Sequence, residues 1–67
     1  MRTFATGQSY THPTFTDVAL LVTGVESEGL NVVWYKQSSP DQIFGSDFLN
    51  FKGRNWANEL IEINIKG

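Results

Sequence analysis

Apolar positions run unbroken from Val18 to Val22, and a second apolar-rich stretch, broken only by Asn31, runs from Leu30 to Trp34. The first pattern reads as a strand buried on both faces, Asp17 to Val25, and so a central one. The second reads as its return strand, Leu30 to Lys36, joined to it by Glu26-Ser27-Glu28-Gly29. Gly29 is free to take a positive φ in that turn. A period of two puts Leu30, Val32 and Trp34 on one face, expected to be core, and Asn31, Val33 and Tyr35 on the other. Tyr35 is therefore expected to face solvent or a partner. Gly24, near the end of the first strand, marks a bulge or sharp bend.

The flanks are shorter and more punctuated. Phe4 to Pro13 reads as a short strand, a tight turn at Gly7 and an extended His12-Pro13 segment, since Pro13 restricts His12 and donates no ladder hydrogen bond. Ser38-Ser39-Pro40-Asp41 reads as a turn and Gln42-Ile43-Phe44 as a fourth strand. Asp47 to Phe51 stays open: the three-residue spacing of Phe48 and Phe51 suits a helical turn, whereas the alternation of Asp47, Leu49 and Phe51 does not. In the tail, Ile61, Ile63 and Ile65 alternate with Glu62 and Asn64, predicting a last strand with the isoleucines inward. A helix from Asn55 carrying Trp56, Leu60 and Ile63 on one face is the alternative. About five short antiparallel strands with frequent turns predict an all-β class, a small, strongly bent barrel over residues 1–67 as a single domain, with room for one short helical turn near residues 47–57.

The residues that open the chain and fill the second arm carry a likeness. Phe4, Gly7 and Tyr10, followed by a long hairpin with Trp34 and Tyr35 on its return strand and a short turn before the last strand, resemble the SH3-like barrels. More narrowly the chain resembles small barrel proteins of unknown role encoded by tailed phages, marine ones among them. That likeness implies a host-cell cytoplasmic or virion location, and nucleic-acid machinery as one setting where such barrels work. The acidic loop and Tyr-rich strand opening of signalling SH3 domains are not evident, so binding of Pro-rich peptides does not carry over.

Composition sharpens the problem. At 67 residues, with 40% apolar residues, 18% charged residues and nine aromatics (five Phe, two Trp, two Tyr), the chain is too apolar for a disordered segment. A chain of this size buries only ~60% of the surface that it exposes when unfolded. With no cysteine, disulfides and thiolate metal sites are excluded. Dense aromatic packing and self-association remain as supports. The five-residue apolar run is far short of the ~20 residues of a membrane span. Met1-Arg2-Thr3-Phe4 has no apolar core of a secretory signal, and no Asn-x-Ser/Thr sequon occurs, so a cytoplasmic setting is expected.

Candidate chemistry is sparse. His12 is the one histidine, so neither a metal nor a cofactor is expected. Asp41 and Asp47 are too few for a calcium site. A nucleophilic arrangement of Ser9, His12 and Asp17 has no elbow or oxyanion loop around it, and Glu26 with Glu28 sits on an exposed hairpin tip where nothing separates two pKa values. No phosphate-binding glycine loop is present. The expectation is a non-catalytic module that acts through self-association or a protein partner, with Tyr10 and Tyr35 as an outward aromatic patch. The alternative is a nucleic-acid-binding barrel using Lys52, Arg54 and Trp56 in the basic and aromatic stretch from Phe48 to Trp56. The net charge of −2 opposes it, because phosphate neutralisation supplies most non-specific affinity.

Overall fold

The computed structural model describes residues 3–52 and 55–63. Five strands form one antiparallel sheet: β1 (Ser9–Thr11), β2 (Val18–Val25), β3 (Gly29–Lys36), β4 (Ser39–Asn50) and β5 (Ile61–Ile63), with a short helix α1 (Trp56–Glu59) before the last strand. The order across the sheet is β4-β3-β2-β1-β5. The chain is thus a small all-β fold with one helical turn, as expected.

β2 and β3 make the predicted hairpin, with Val22 opposite Val32 and Leu20 opposite Trp34. β2 lies in the middle of the sheet, which accounts for its apolar residues on both faces. The register slips between Val22 and Gly24, so the bulge expected near Gly24 is present. Gly29, however, does not take a positive φ. It is buried, and a Cβ placed there would overlap the Leu49 carbonyl group and the ring of Phe48. Glycine is required because β4 passes against it, a long-range cause that the turn pattern does not contain.

β4 departs most from expectation. The turn sits at Gln37 and Ser38, one residue earlier than Ser38-Ser39-Pro40-Asp41 suggested, and the strand then runs through Asn50 without the helical turn considered for Asp47 to Phe51. Pairing on the extended ladder, from Asp47 opposite Val32 to Asn50 opposite Gly29, overrides the three-residue spacing of Phe48 and Phe51. Two register shifts, on either side of Tyr35, bend the strand. Gly45 has φ +151°, which only glycine adopts readily, and leaves Phe44 as the extra residue between the pairs Trp34–Gly45 and Tyr35–Ile43. Pro40 is tolerated because β4 is an edge strand that does not need its N–H.

Toward the other edge, which β5 forms, the first strand follows the Gly7 turn rather than preceding it. It is short because the Gly7 N–H and Gln8 carbonyl already bond to Val22, at 2.8 and 3.0 Å. β5 pairs with β1, Ser9 opposite Ile63 and Thr11 opposite Ile61. Here the inward assignment of the isoleucines is corrected. The short α1 shifts the chain so that Leu60 is the buried residue, while Ile61 is half exposed and Ile63 turns to the opposite face; Ile65 lies outside the described residues.

The core sits on one face of the sheet: Tyr10, Leu20, Val22, Leu30, Val32 and Leu60, all buried. Aromatic side chains cap it in a ladder. Phe4 meets Tyr10 edge-on at 5.3 Å and stacks on Phe51 at 6.0 Å, which stacks on Trp56 at 5.9 Å. This supplies the dense packing a cysteine-free chain needs.

The close approach at the hairpin tip makes a measurable prediction. Gly29→Ala forces β4 away from β3 and should destabilise the fold by about 1–3 kcal/mol in urea denaturation. Gly24→Ala, where the nearest contact of a new Cβ is the Asn31 side-chain amide nitrogen at 3.3 Å, should cost clearly less. Equal costs would mean that β4 does not press on Gly29.

Candidate functional site

Among the recesses formed by the described residues, two lie on opposite faces of the sheet and hold the candidate side chains. The first, about 380 Å³, opens on the face opposite the core. Its floor is one row across four strands: Ile63, Ser9, Leu21 and Val33 stand side by side in register. Tyr35 and Ile43, paired in the next row, and Pro40 form one wall. Among the described residues, none lining it is ionisable apart from the Tyr35 phenol. The Gln8 amide nitrogen at the rim donates to the carbonyls of Ser9 and Ile63, both at 3.1 Å, tying β1 to β5.

The second recess, about 560 Å³, opens beside the core. Phe15, Trp34, Phe48 and Trp56 line it, so it holds both tryptophans of the chain. Phe15 stands edge-on to Trp34 at 5.5 Å. Trp34 is opposite Gly45, which has no side chain to cover the indole from the β4 side. The Trp56 Nε1–H donates to the Asn50 carbonyl at 3.1 Å and fixes the ring across the end of β4. Lys52 and Glu59 contribute opposite charges to the rim.

The expected outward patch of Tyr10 and Tyr35 is not formed. Both are buried, at 2% and 5% exposure. They lie on opposite faces: Tyr10 is in register with Leu20 of the core, Tyr35 with Ala19 and Ile43. Period-two alternation correctly separates Tyr35 from the core face, but the bent sheet covers its other face as well. Of the proposed nucleic-acid contacts, Lys52 and Trp56 come together at the second recess; Arg54 lies outside the described residues. Trp56 is half buried and serves the core ladder. Phe15 and the row on the opposite face went unnoticed, because only the fold sets them beside their neighbours.

The polar groups considered for chemistry are engaged separately. The Thr14 backbone N–H donates to His12 Nδ1 at 3.1 Å, so the neutral ring carries its proton on Nε2 and donates it to Glu59 Oε1 at 2.9 Å. This ties the β1–β2 loop to α1. Asp17 does not orient His12. At φ 55° it turns its carboxylate onto the β3–β4 turn, accepting from the Ser38 N–H at 2.7 Å and hydroxyl at 2.6 Å, while its carbonyl accepts from the Gln37 N–H at 2.9 Å. Asp41 and Asp47 are exposed on β4, and no group of three or more potential metal ligands occurs among the described residues. Likewise, no helix of the described residues is long and apolar enough to cross a membrane.

The Ser38 hydroxyl, then the Ser38 N–H and the Lys36 charge, outweigh desolvation and hold the Asp17 carboxyl below its ordinary value of 3.8.

Comparison of the chain with protein-family models, with curated proteins and with solved structures finds no match. The site must be read from its own geometry.

The Asp17 clamp predicts an acid dependence. A carboxyl with a lowered folded value stabilises the fold fully above the unfolded value, and that contribution is lost as pH falls through the folded value. Asp17→Asn keeps a residue tolerant of positive φ but removes the titrating charge. Urea midpoints measured between about pH 2 and 6 should differ above about pH 4 and converge toward the acid end. A gap that does not change with pH would show that the carboxylate charge adds nothing.

Proposed function

We propose that this chain is a non-catalytic interaction module that acts through protein contacts, with self-association the leading mode. The observation that carries the reading is β4. It is an edge strand, exposed from residue 39 to residue 48, and it presents Ile43, Phe44 and Phe48 at 62%, 55% and 41% exposure. An open edge offers unpaired backbone groups, and exposed large apolar side chains beside it mark a contact surface. The bulge at Phe44 turns that side chain outward, and bulges commonly re-aim a residue in this way. Covering this strand would also add apolar burial to a chain whose own core is small. The surface has moved from the tyrosines to β4, but the class of function is the one that the composition suggests. The β2–β4 meander and the helical turn before the last strand accord with the SH3-like barrel that the sequence resembles. That likeness, and an accessory structural role of the kind it implies, belong to the proposal.

Sedimentation at micromolar and at millimolar concentration tests it. The mass should rise above the 7.5 kDa monomer at the higher concentration. Phe44→Asp should weaken association about tenfold or more without unfolding the chain, because Phe44 is mostly exposed. A monomer at both concentrations removes self-association.

A second reading is favoured by the meeting of Lys52 and Trp56 at one recess with three further aromatics. Stacking faces beside a cation are the parts of a single-strand nucleic-acid site. Against it stand Glu59 at the same rim and the net charge of −2. On the leading reading, labelled single-stranded DNA does not bind even at ~50 mM salt, where the electrostatic contribution is large. Salt-sensitive quenching of the tryptophans by DNA would reverse the order of the two readings.

A further inference from the structure

The recess opposite the core contains a chemical anomaly. Tyr35 lines it, is 5% exposed, and its hydroxyl is the one buried polar side-chain atom without a hydrogen-bond partner among the described residues. Buried polar groups are nearly always paired, and an unpaired one costs about 1–3 kcal/mol. Phenylalanine would fill the same space without that cost. The rest of the lining restricts what could use the hydroxyl. Leu21, Val33, Pro40, Ile43 and Ile63 are apolar, and the Gln8 amide nitrogen is already committed to two carbonyls. Among the described residues no cation lines the recess, so a carboxylate or phosphate would be desolvated there without compensation from them. The volume of about 380 Å³ falls within the range of small-molecule sites.

We infer that this recess is a binding site for a compact, uncharged molecule, a saturated ring or branched chain bearing a single alcohol or amide group. Its apolar body rests on Leu21, Val33 and Ile63, in a row where Ser9 stands between Leu21 and Ile63, and its polar group pairs with the Tyr35 hydroxyl. That hydroxyl is closed to solvent, so entry requires a neighbouring side chain to turn aside. Ile43, paired with Tyr35 and 62% exposed, has the room to do so. The site does not use Phe44, but it shares Ile43 with the association surface proposed on β4.

Methyl NMR with cyclohexanol as probe tests the inference, with cyclohexanecarboxylate as the charged control. Cyclohexanol at millimolar concentration should shift the methyls of Leu21, Val33, Ile43 and Ile63 and leave those of Leu20 and Leu30, on the core face, in place. The carboxylate should shift none of them. Tyr35→Phe should keep the dispersed spectrum of the folded chain, yet weaken cyclohexanol about fivefold, the effect of one neutral hydrogen bond. Three results would overturn the inference: no shifts in the unaltered protein, equal affinity in Tyr35→Phe, or the methyls of Leu21, Val33 and Ile63, none of them on the β4 association surface, shifting with protein concentration alone. The last would mean that a second copy occupies the recess.

Discussion

The β2–β3 hairpin has to be covered on both faces, and the rest of the molecule is arranged by that requirement. On one face Leu20, Val22, Leu30 and Val32 are at most 1% exposed; on the other, Ala19 is at 0% and Tyr35 at 5%. A flat sheet of this size could not achieve this with so few residues left over. The bulges in β2 and β4 bend it instead. The aromatic ladder from Phe4 to Trp56 closes the core side, and the two edge strands with the Gly7 turn close around the other. The second closure is incomplete, and the recess beside Tyr35 is what remains.

Side-chain hydrogen bonds hold the loops that make this possible. Asp17, just before β2, clamps the β3–β4 turn, and His12, just after β1, reaches α1 through Glu59. The first continues the β2–β3 ladder into the turn that begins the edge strand β4, and the second joins the β1–β2 loop to α1, with which it shares no ladder. The same commitments account for why Ser9, His12 and Asp17 do not converge. Asp17 and His12 point to different turns, each with its own partner.

Surface chemistry follows from the strand order. β3 pairs with β4 on one side only, so β4 keeps an open edge along with Ile43 and Phe44. The aromatic recess exists because Trp34 meets Gly45 instead of a side chain. One glycine thus bends β4, exposes Phe44 and uncovers Trp34. The exposed apolar side chain of Phe44 and the aromatic recess beside Trp34 are two consequences of the same irregularity.

Local pattern was enough to determine the hairpin and its faces, from residues two apart, the bulge near Gly24, from the glycine itself, and the all-β class, from short segments between frequent turns. Composition determined that disulfides and thiolate sites were impossible. Tertiary structure alone decided that Tyr10 and Tyr35 are buried on opposite faces, that β4 continues through Asp47 to Asn50, and that Leu60 replaces Ile61 in the core. Pairing partners distant in sequence set these outcomes: Leu20 for Tyr10, Ile43 for Tyr35, Val32 for Asp47. A period of two says which residues share a face. It does not say what will cover that face, and the candidate sites of this protein are defined by what does.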